Sequence, residues 1–255
     1  IEAGHAITIR DNAAGISAKD FVRAFEPANK PENDQGLSEF GMGLKVASIW
    51  FGDRYSVRTS ALGETVVKEV NFDLHQVTEK ELEELAVSEE PANENDHFTE
   101  IVISGLSKNA PTGNPRQIAK IKSHIASIYR IFIRERKIEI AVNGEVLSYE
   151  EPAILKAPFW NDLNGPDKTW RKEISIETEK YKVSGFIGLL ETMKQEHAGL
   201  SLFRRGRVIQ GSHDEKYKNQ LLSGTSGSPR DKRLFGELEL SGFEVSFEKG
   251  RHAAH

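Results

Sequence analysis

The sequence predicts an α+β protein, with the pattern laid down twice over in 255 residues. Three observations carry that class. Short β-branched runs that alternate, such as AITIR (6–10) and EISIETE (173–179), recur along the chain, and a period of two marks a half-buried strand. Apolar residues at Ile118, Ile121, Ile125, Ile128 and Phe132 are spaced by three and four, which gives a helix one buried stripe. Turn clusters such as DNAAG (11–15) and the pair Asn143-Gly144 bound the alternating runs, and Asn-Gly is the strongest short hairpin signal.

In chain order, AITIR (6–10) is the first strand and DNAAG its turn. Ser17–Phe25 reads as a short helix with Ser17 as its cap. EPANKPENDQGLSEFGMG (26–43) is rich in Pro, Asn, Asp and Gly, and a loop of that length inside a domain is usually functional or mobile. LKVASIWF (44–51) follows as a helix opened by glycines. RYSVRTSA (54–61), TVVKEVNF (65–72) and TEIVISGL (99–106) are strands, with the acidic segment 79–96 read as a loop before the last. SKNAPTGNP (107–115) is a linker by composition, so one domain is expected over 1–106 and a second over 107–255. The second opens with one helix over 116–135 and a hairpin over 137–149. Its strands are EISIETE (173–179), YKVSGFIGLL (181–190), LSLFRRGRVIQ (200–210), FGELELSG (235–242) and FEVSFEK (243–249), with GSPRDKR read as a loop. There is no internal repeat.

Composition narrows the chemistry. Cysteine is absent, which removes disulfides, thiolate catalysis and zinc–thiolate sites. The eight histidines show no metal-ligand spacing. No apolar run approaches the ~18 residues of a membrane span, and no signal peptide opens the chain, so no membrane is expected and the expected location is cytoplasmic, or nuclear in a eukaryote. The net charge of −5 hides an asymmetry: residues 1–100 hold 9 Lys+Arg against 20 Asp+Glu, residues 101–255 hold 25 against 19. That suggests two modules with different surroundings, although a solvated acidic loop over 79–96 accounts for much of it.

Three pieces in order could carry chemistry. A strand delivers Asp11 into its turn, QGLSEFGMGLK (35–45) runs from loop into helix, and Thr99 opens a later strand. A carboxylate at a strand end can accept from an exocyclic amine such as adenine presents. Gly15 permits a tight turn and close approach of a flat ring. Gly41 and Gly43, ahead of a helix, expose backbone N–H groups that suit phosphates, and Lys45 could add a charge. Taken singly, Asp11 is a turn former and Lys45 a surface lysine. Arg204, Arg205 and Arg207 sit together in RRGR, and Arg230, Lys232 and Arg233 in GSPRDKR. Phosphate binding needs several cations on one face, so these are a candidate DNA contact or a solvated hairpin edge.

The set Asp11-Asn12-x-x-Gly15-Ile16, then Gly36 with Phe40-Gly41-Met42-Gly43-Leu44-Lys45, then Thr99 resembles the GHKL superfamily of gyrase B subunits, heat-shock chaperones, histidine kinases and MutL. FGMGLKVASIWFGDRYSVRTS is most similar to MORC-like ATPases and their bacterial relatives. RRGRVIQG, RLFGELEL and FEVSFEK are similar to the final strands of the transducer domain that follows the ATPase domain in that family. The resemblance implies a two-layer α/β sandwich of the Bergerat type, then a transducer-like α+β domain. It implies ATP and magnesium as cofactors, with Asp11 on the adenine amine, Gly15 under the base, Thr99 beside Asp11, and Gly41, Gly43 and Leu44 on the phosphates. The loop 26–40 would be a lid, and Lys249, in a strand-end Lys-Gly, would touch the γ-phosphate.

The family usually has glycine where Ala13 and Phe98 stand, so both side chains are expected to crowd the base pocket. Its catalytic Glu and magnesium-binding Asn belong to a helix expected upstream of Ile1, whose tail Ile1-Glu2-Ala3-Gly4 resembles; no metal ligand is assigned here. The function implied is an ATP-gated conformational switch, dimerising on ATP and acting on DNA. Rivals are a heat-shock-type chaperone, a histidine kinase, and a nucleotide-binding module without turnover.

Overall fold

The structure, a computed structural model, describes residues 6–26, 43–76, 85–194, 196–213, 215 and 217–243. The chain divides into two compact units, Ile1–Ala119 and Lys120–His255, each taken by itself below. Both are mixed α+β with five-stranded sheets.

The first unit contains β1 (Ala6–Asp11), α1 (Ala18–Phe25), α2 (Gly43–Phe51), β2 (Gly52–Ser60), β3 (Val66–Asp73), β4 (Val87–Pro91) and β5 (Phe98–Leu106). Its sheet runs β1-β5-β2-β3-β4, every pairing antiparallel. Residues in register share a face, so the register sorts the side chains into rows. One row is Ile7, Ile103, Tyr55 and Phe72, and the next is Ile9, Ile101, Val57, Val70 and Val87. This is the core face. Ile7, Tyr55, Val57 and Ile103 are buried there, packed by Leu44 and Phe51 of α2, Phe25 of α1, and Ile16.

Helix α1 forms where Ser17 accepts from the Asp20 amide and so satisfies a donor that the helix leaves free. The Arg23 guanidinium, 2.6 Å from Asp20, with the Ser17 hydroxyl, holds that carboxyl below its usual value. The acidic segment is not all loop. Val87–Pro91 forms the edge strand β4, its five residues exposed. Backbone pairing to β3 holds it, with Glu89 opposite Lys68 and Glu90 2.9 Å from Arg58. Because so little is buried, no apolar alternation announces it.

The second unit departs from expectation at three places. The helix read over 116–135 breaks at Tyr129 (φ −102°, ψ 14°) into α3 (Pro115–Ile128) and α4 (Arg130–Arg134). LSLFRRGRVIQ is a hairpin, β12 (Gly199–Arg204) and β13 (Arg207–Gln210), because Arg205 and Gly206 take φ of +51° and +75° and reverse the chain. PRDKR is a helical turn rather than a loop, Pro229–Arg233, with Ser228 capping through the Asp231 amide.

Two-residue strands β8 (Lys156–Ala157) and β9 (Lys168–Thr169) pair with each other. The strands β10 (Arg171–Glu177), β11 (Lys182–Leu189) and β14 (Leu234–Ser241) join the β12–β13 hairpin in the order β10-β11-β14-β12-β13. The β12–β14 pair is parallel. The predicted Asn143-Gly144 turn forms with both φ positive, +52° and +77°, between two-residue strands β6 (Ala141–Val142) and β7 (Glu145–Val146). The strand read over 243–249 lies beyond the described residues, save Phe243. Among the described residues no helix is long and apolar enough to cross a membrane.

Candidate functional site

The core face of the first sheet changes character at one end. After two apolar rows, the third row is Asp11, Thr99, Thr59 and Lys68 on β1, β5, β2 and β3. The alternation that places Ile7, buried, and Ile9, more exposed, on this face thus carries Asp11 onto it, and that which places Ile103 and Ile101 there carries Thr99. Asp11 and Thr99 are direct cross-strand partners, with Cβ atoms about 5 Å apart by sheet geometry.

The turn after Asp11 is pinned over this row. The Ala13 amide donates to Asp11 Oδ1 (2.9 Å), so one carboxylate oxygen orients the side chain and the other is left for an external donor. The Leu62 amide donates to the Ala14 carbonyl (2.9 Å), and the Ile16 amide to Thr59 Oγ1 (2.9 Å). His97 Nδ1 lies 2.9 Å from the Ala13 carbonyl, so this nitrogen carries the proton. Gly15, at φ +73°, passes so close to β2 that a Cβ would stand 1.9 Å from the Ser60 carbonyl oxygen; only glycine fits both the conformation and the approach. Asn12 lies in this exposed turn, while Ile16 anchors its far end in the core.

Phe98 does not crowd this row. It neighbours Thr99 on β5, so alternation turns its ring to the other face, where the Arg10 and Arg58 guanidinium carbons sit 4.9 and 5.7 Å from its centroid. Ala13 lies in the exposed part of the turn.

Gly43 and Leu44 open α2, and Leu44 packs into the core beside Ile16. The Lys45 ammonium donates to the Glu26 carbonyl, the residue that ends α1, where the negative end of the helix dipole favours a cation. Desolvation first, then the nearby Arg23, pushes the Lys45 pKa down. Gly36, Phe40, Gly41, Met42 and Lys249, and almost all of the loop read as a lid, lie outside the described residues. Arg204 and Arg207 face each other across the β12–β13 hairpin. Arg230 donates to the Leu221 carbonyl and Arg233 to the Leu190 carbonyl, and Lys232 is on the same short helix.

Sequence reasoning missed Thr59 and His97. Thr59 had a signal: in RYSVRTSA the period that buries Tyr55 and Val57 places Thr59 on the same face, a polar residue at a core position. His97 had none, since its role depends on a carbonyl 84 residues away. A groove of about 620 Å³ lies away from the row, lined by residues that include Arg54, Asn71, Asp73 and Val102. By register these belong to the opposite face. Among the described residues no group of three His, Cys, Asp or Glu could hold a metal ion.

A carboxylate, two hydroxyls and a pinned turn thus meet at the polar end of the sheet. Residues 2–101, most of the first unit, match the family of histidine kinase-, DNA gyrase B- and HSP90-like ATPases. Among solved structures, the chain is similar to the ATPase domain of the mismatch repair endonuclease MutL from Aquifex aeolicus. Identity there is 15%, with 96% of this chain and 82% of that one covered and a TM-score of 0.43. It is also similar to the B-subunit of DNA gyrase from Myxococcus xanthus, with 13% identity, 93% and 70% coverage and a TM-score of 0.47. These two likenesses are distant, and the site is read from the family match and its own geometry. No curated protein matches the chain.

Proposed function

We propose that the first unit binds ATP with its adenine against Asp11 and Thr99 of the polar row, and that the chain is an ATP-gated conformational switch. The observation that carries this is the row itself: a carboxylate and a hydroxyl, adjacent in register, at the end of an otherwise apolar face in a segment that matches an ATPase family. Asp11 Oδ2 accepts from the adenine amine, Gly15 lets the turn lie flat beneath the base, and the first amides of α2 at Gly43 and Leu44 face the phosphates. The magnesium that accompanies ATP receives no ligand from the described residues.

The second unit is read as the transducer-like domain. ATP acts on it only through a different affinity for two arrangements of the protein, and closure would bring two copies together. Action on DNA, through Arg204, Arg205, Arg207, Arg230, Lys232 and Arg233, is the end we propose for the switch. Isothermal titration with ATP, with turnover measured in the presence and absence of DNA, tests the reading. Saturable ATP binding is expected, and DNA-stimulated turnover only where the catalytic Glu and magnesium-binding Asn that the resemblance implies are also present. Binding without turnover would make this a nucleotide-sensing module, and no binding would overturn the assignment.

A further inference from the structure

The buried hydroxyl of Thr59 belongs to no role assigned so far, and its bonds can be counted. Thr59 is 1% exposed. A hydroxyl has one proton and two lone pairs. The Ile16 amide takes one lone pair at 2.9 Å. The Phe98 carbonyl, at 2.9 Å, can only accept, so it takes the Thr59 proton. Thr99 Oγ1 stands 3.3 Å from Thr59 Oγ1. Since the Thr59 proton is committed, this bond needs the Thr99 hydroxyl as its donor, into the remaining lone pair. Thr59 is then saturated, and Thr99 has spent its only proton inside the protein.

From this we propose that Thr59 is a positioning residue that sets base specificity by making Thr99 an acceptor. The inference rests on the ATP-site reading above and deepens it. With its proton turned inward, Thr99 shows only lone pairs toward the row, beside the Asp11 carboxylate, which also only accepts. Two neighbouring acceptors suit an exocyclic amine, which has two hydrogens to give. They oppose a purine that carries a carbonyl at the same place, because acceptor would meet acceptor with no water between. Thr59 touches no nucleotide. It acts through the direction of the Thr99 proton, and through the Ile16 amide it holds the Asp11 turn in place.

The test compares ATP with inosine triphosphate, which replaces the amine by a carbonyl and leaves sugar and phosphates unchanged. Affinities are measured by titration for the 255-residue chain, Thr59→Val and Thr59→Ser. Valine keeps the shape of Thr59 and removes the hydroxyl; serine restores it. In Thr59→Val the Thr99 hydroxyl is free to turn and donate, so the preference for ATP over inosine triphosphate should shrink about five- to tenfold, the worth of one hydrogen bond. Thr59→Ser should keep the wild-type ratio. Amide exchange at Ile16 in the nucleotide-free protein should quicken in the valine variant and not in the serine one. If Thr59→Val does not fold, Thr99→Val removes the acceptor itself and should narrow the ratio likewise. An unchanged ratio in the folded valine variant overturns this proposal alone, whereas failure of the unaltered chain to bind ATP overturns the site reading with it.

Discussion

Two polar constellations, one in each unit, use similar chemistry to opposite ends. In the second unit Arg130, 2% exposed, donates through Nε to Glu237 (2.6 Å) and through a terminal nitrogen to the Ser127 carbonyl (2.7 Å). Its guanidinium carbon lies 4.5 Å from the Phe203 ring centroid. Arg134 binds the same carboxylate at 3.1 Å and also pairs with Glu151. Every charge there has a partner of opposite sign. In the first unit Asp11 has one oxygen committed, to its own turn, and sits exposed at the end of a row. A closed network holds helix α4 against β14; an open one has capacity left for a ligand. The two networks differ in saturation more sharply than in charge or burial.

The largest effect expected from breaking that contrast is at Arg130. Arg130→Leu leaves Glu237 largely buried with only Arg134 to compensate it, and removing one partner of a buried pair costs about 3–5 kcal/mol. Urea unfolding of the second unit should shift by that amount. Arg130→Leu combined with Glu237→Leu should recover much of it, because no orphaned charge is then left. A single variant as stable as wild type would show the network to be ornamental to the fold.

Asp11→Asn probes the open constellation and should do the reverse: little change in stability, a large change in binding. The amide can keep the Ala13 bond but offers a weaker acceptor, and can turn a donor toward the adenine amine. Bonds to charged groups are worth about 1.5–3 kcal/mol, so ATP affinity should fall roughly ten- to hundredfold. Titration with an unchanged urea midpoint checks both halves. A stability loss without a binding loss would make Asp11 a turn former and nothing more.

The same contrast explains what the sequence made legible. Alternation and turn chemistry are local, so β1, the Ser17 cap, α2 and the Asn143-Gly144 hairpin could be read directly. Asp11 and Thr99 could be named from their motifs, but not their register, because pairing across 88 residues leaves no local mark. Thr59 and Phe98 show what register adds: one enters the site row and the other leaves it, on the parity of their positions alone. β4 was hidden because it is held by backbone and ion pairs rather than burial. Arg130 was hidden because one charged residue inside an apolar stripe looks like the edge of the stripe.

The smallest expected effect lies at Asp231, a second saturated group. Its carboxylate accepts from the Gly227 amide (3.0 Å) and lies 3.0 Å from the Lys218 ammonium. The Gly227 bond first, then Lys218, holds its pKa below the ordinary carboxylate value. The sign follows from linkage. A group whose folded pKa is depressed gives stability that is complete above its unfolded value, about 3.9, and lost as pH falls through the lower folded value. Asp231→Asn removes that titration while keeping an acceptor for Gly227. The variant should therefore be less stable than wild type at pH 7, and the gap should close as the pH is taken below about 4. Urea midpoints for both proteins at pH 7, 5 and 3 measure it. A gap that stays constant over this range would mean that Asp231 holds its helix by shape and neutral hydrogen bonding, and that its charge contributes nothing to stability.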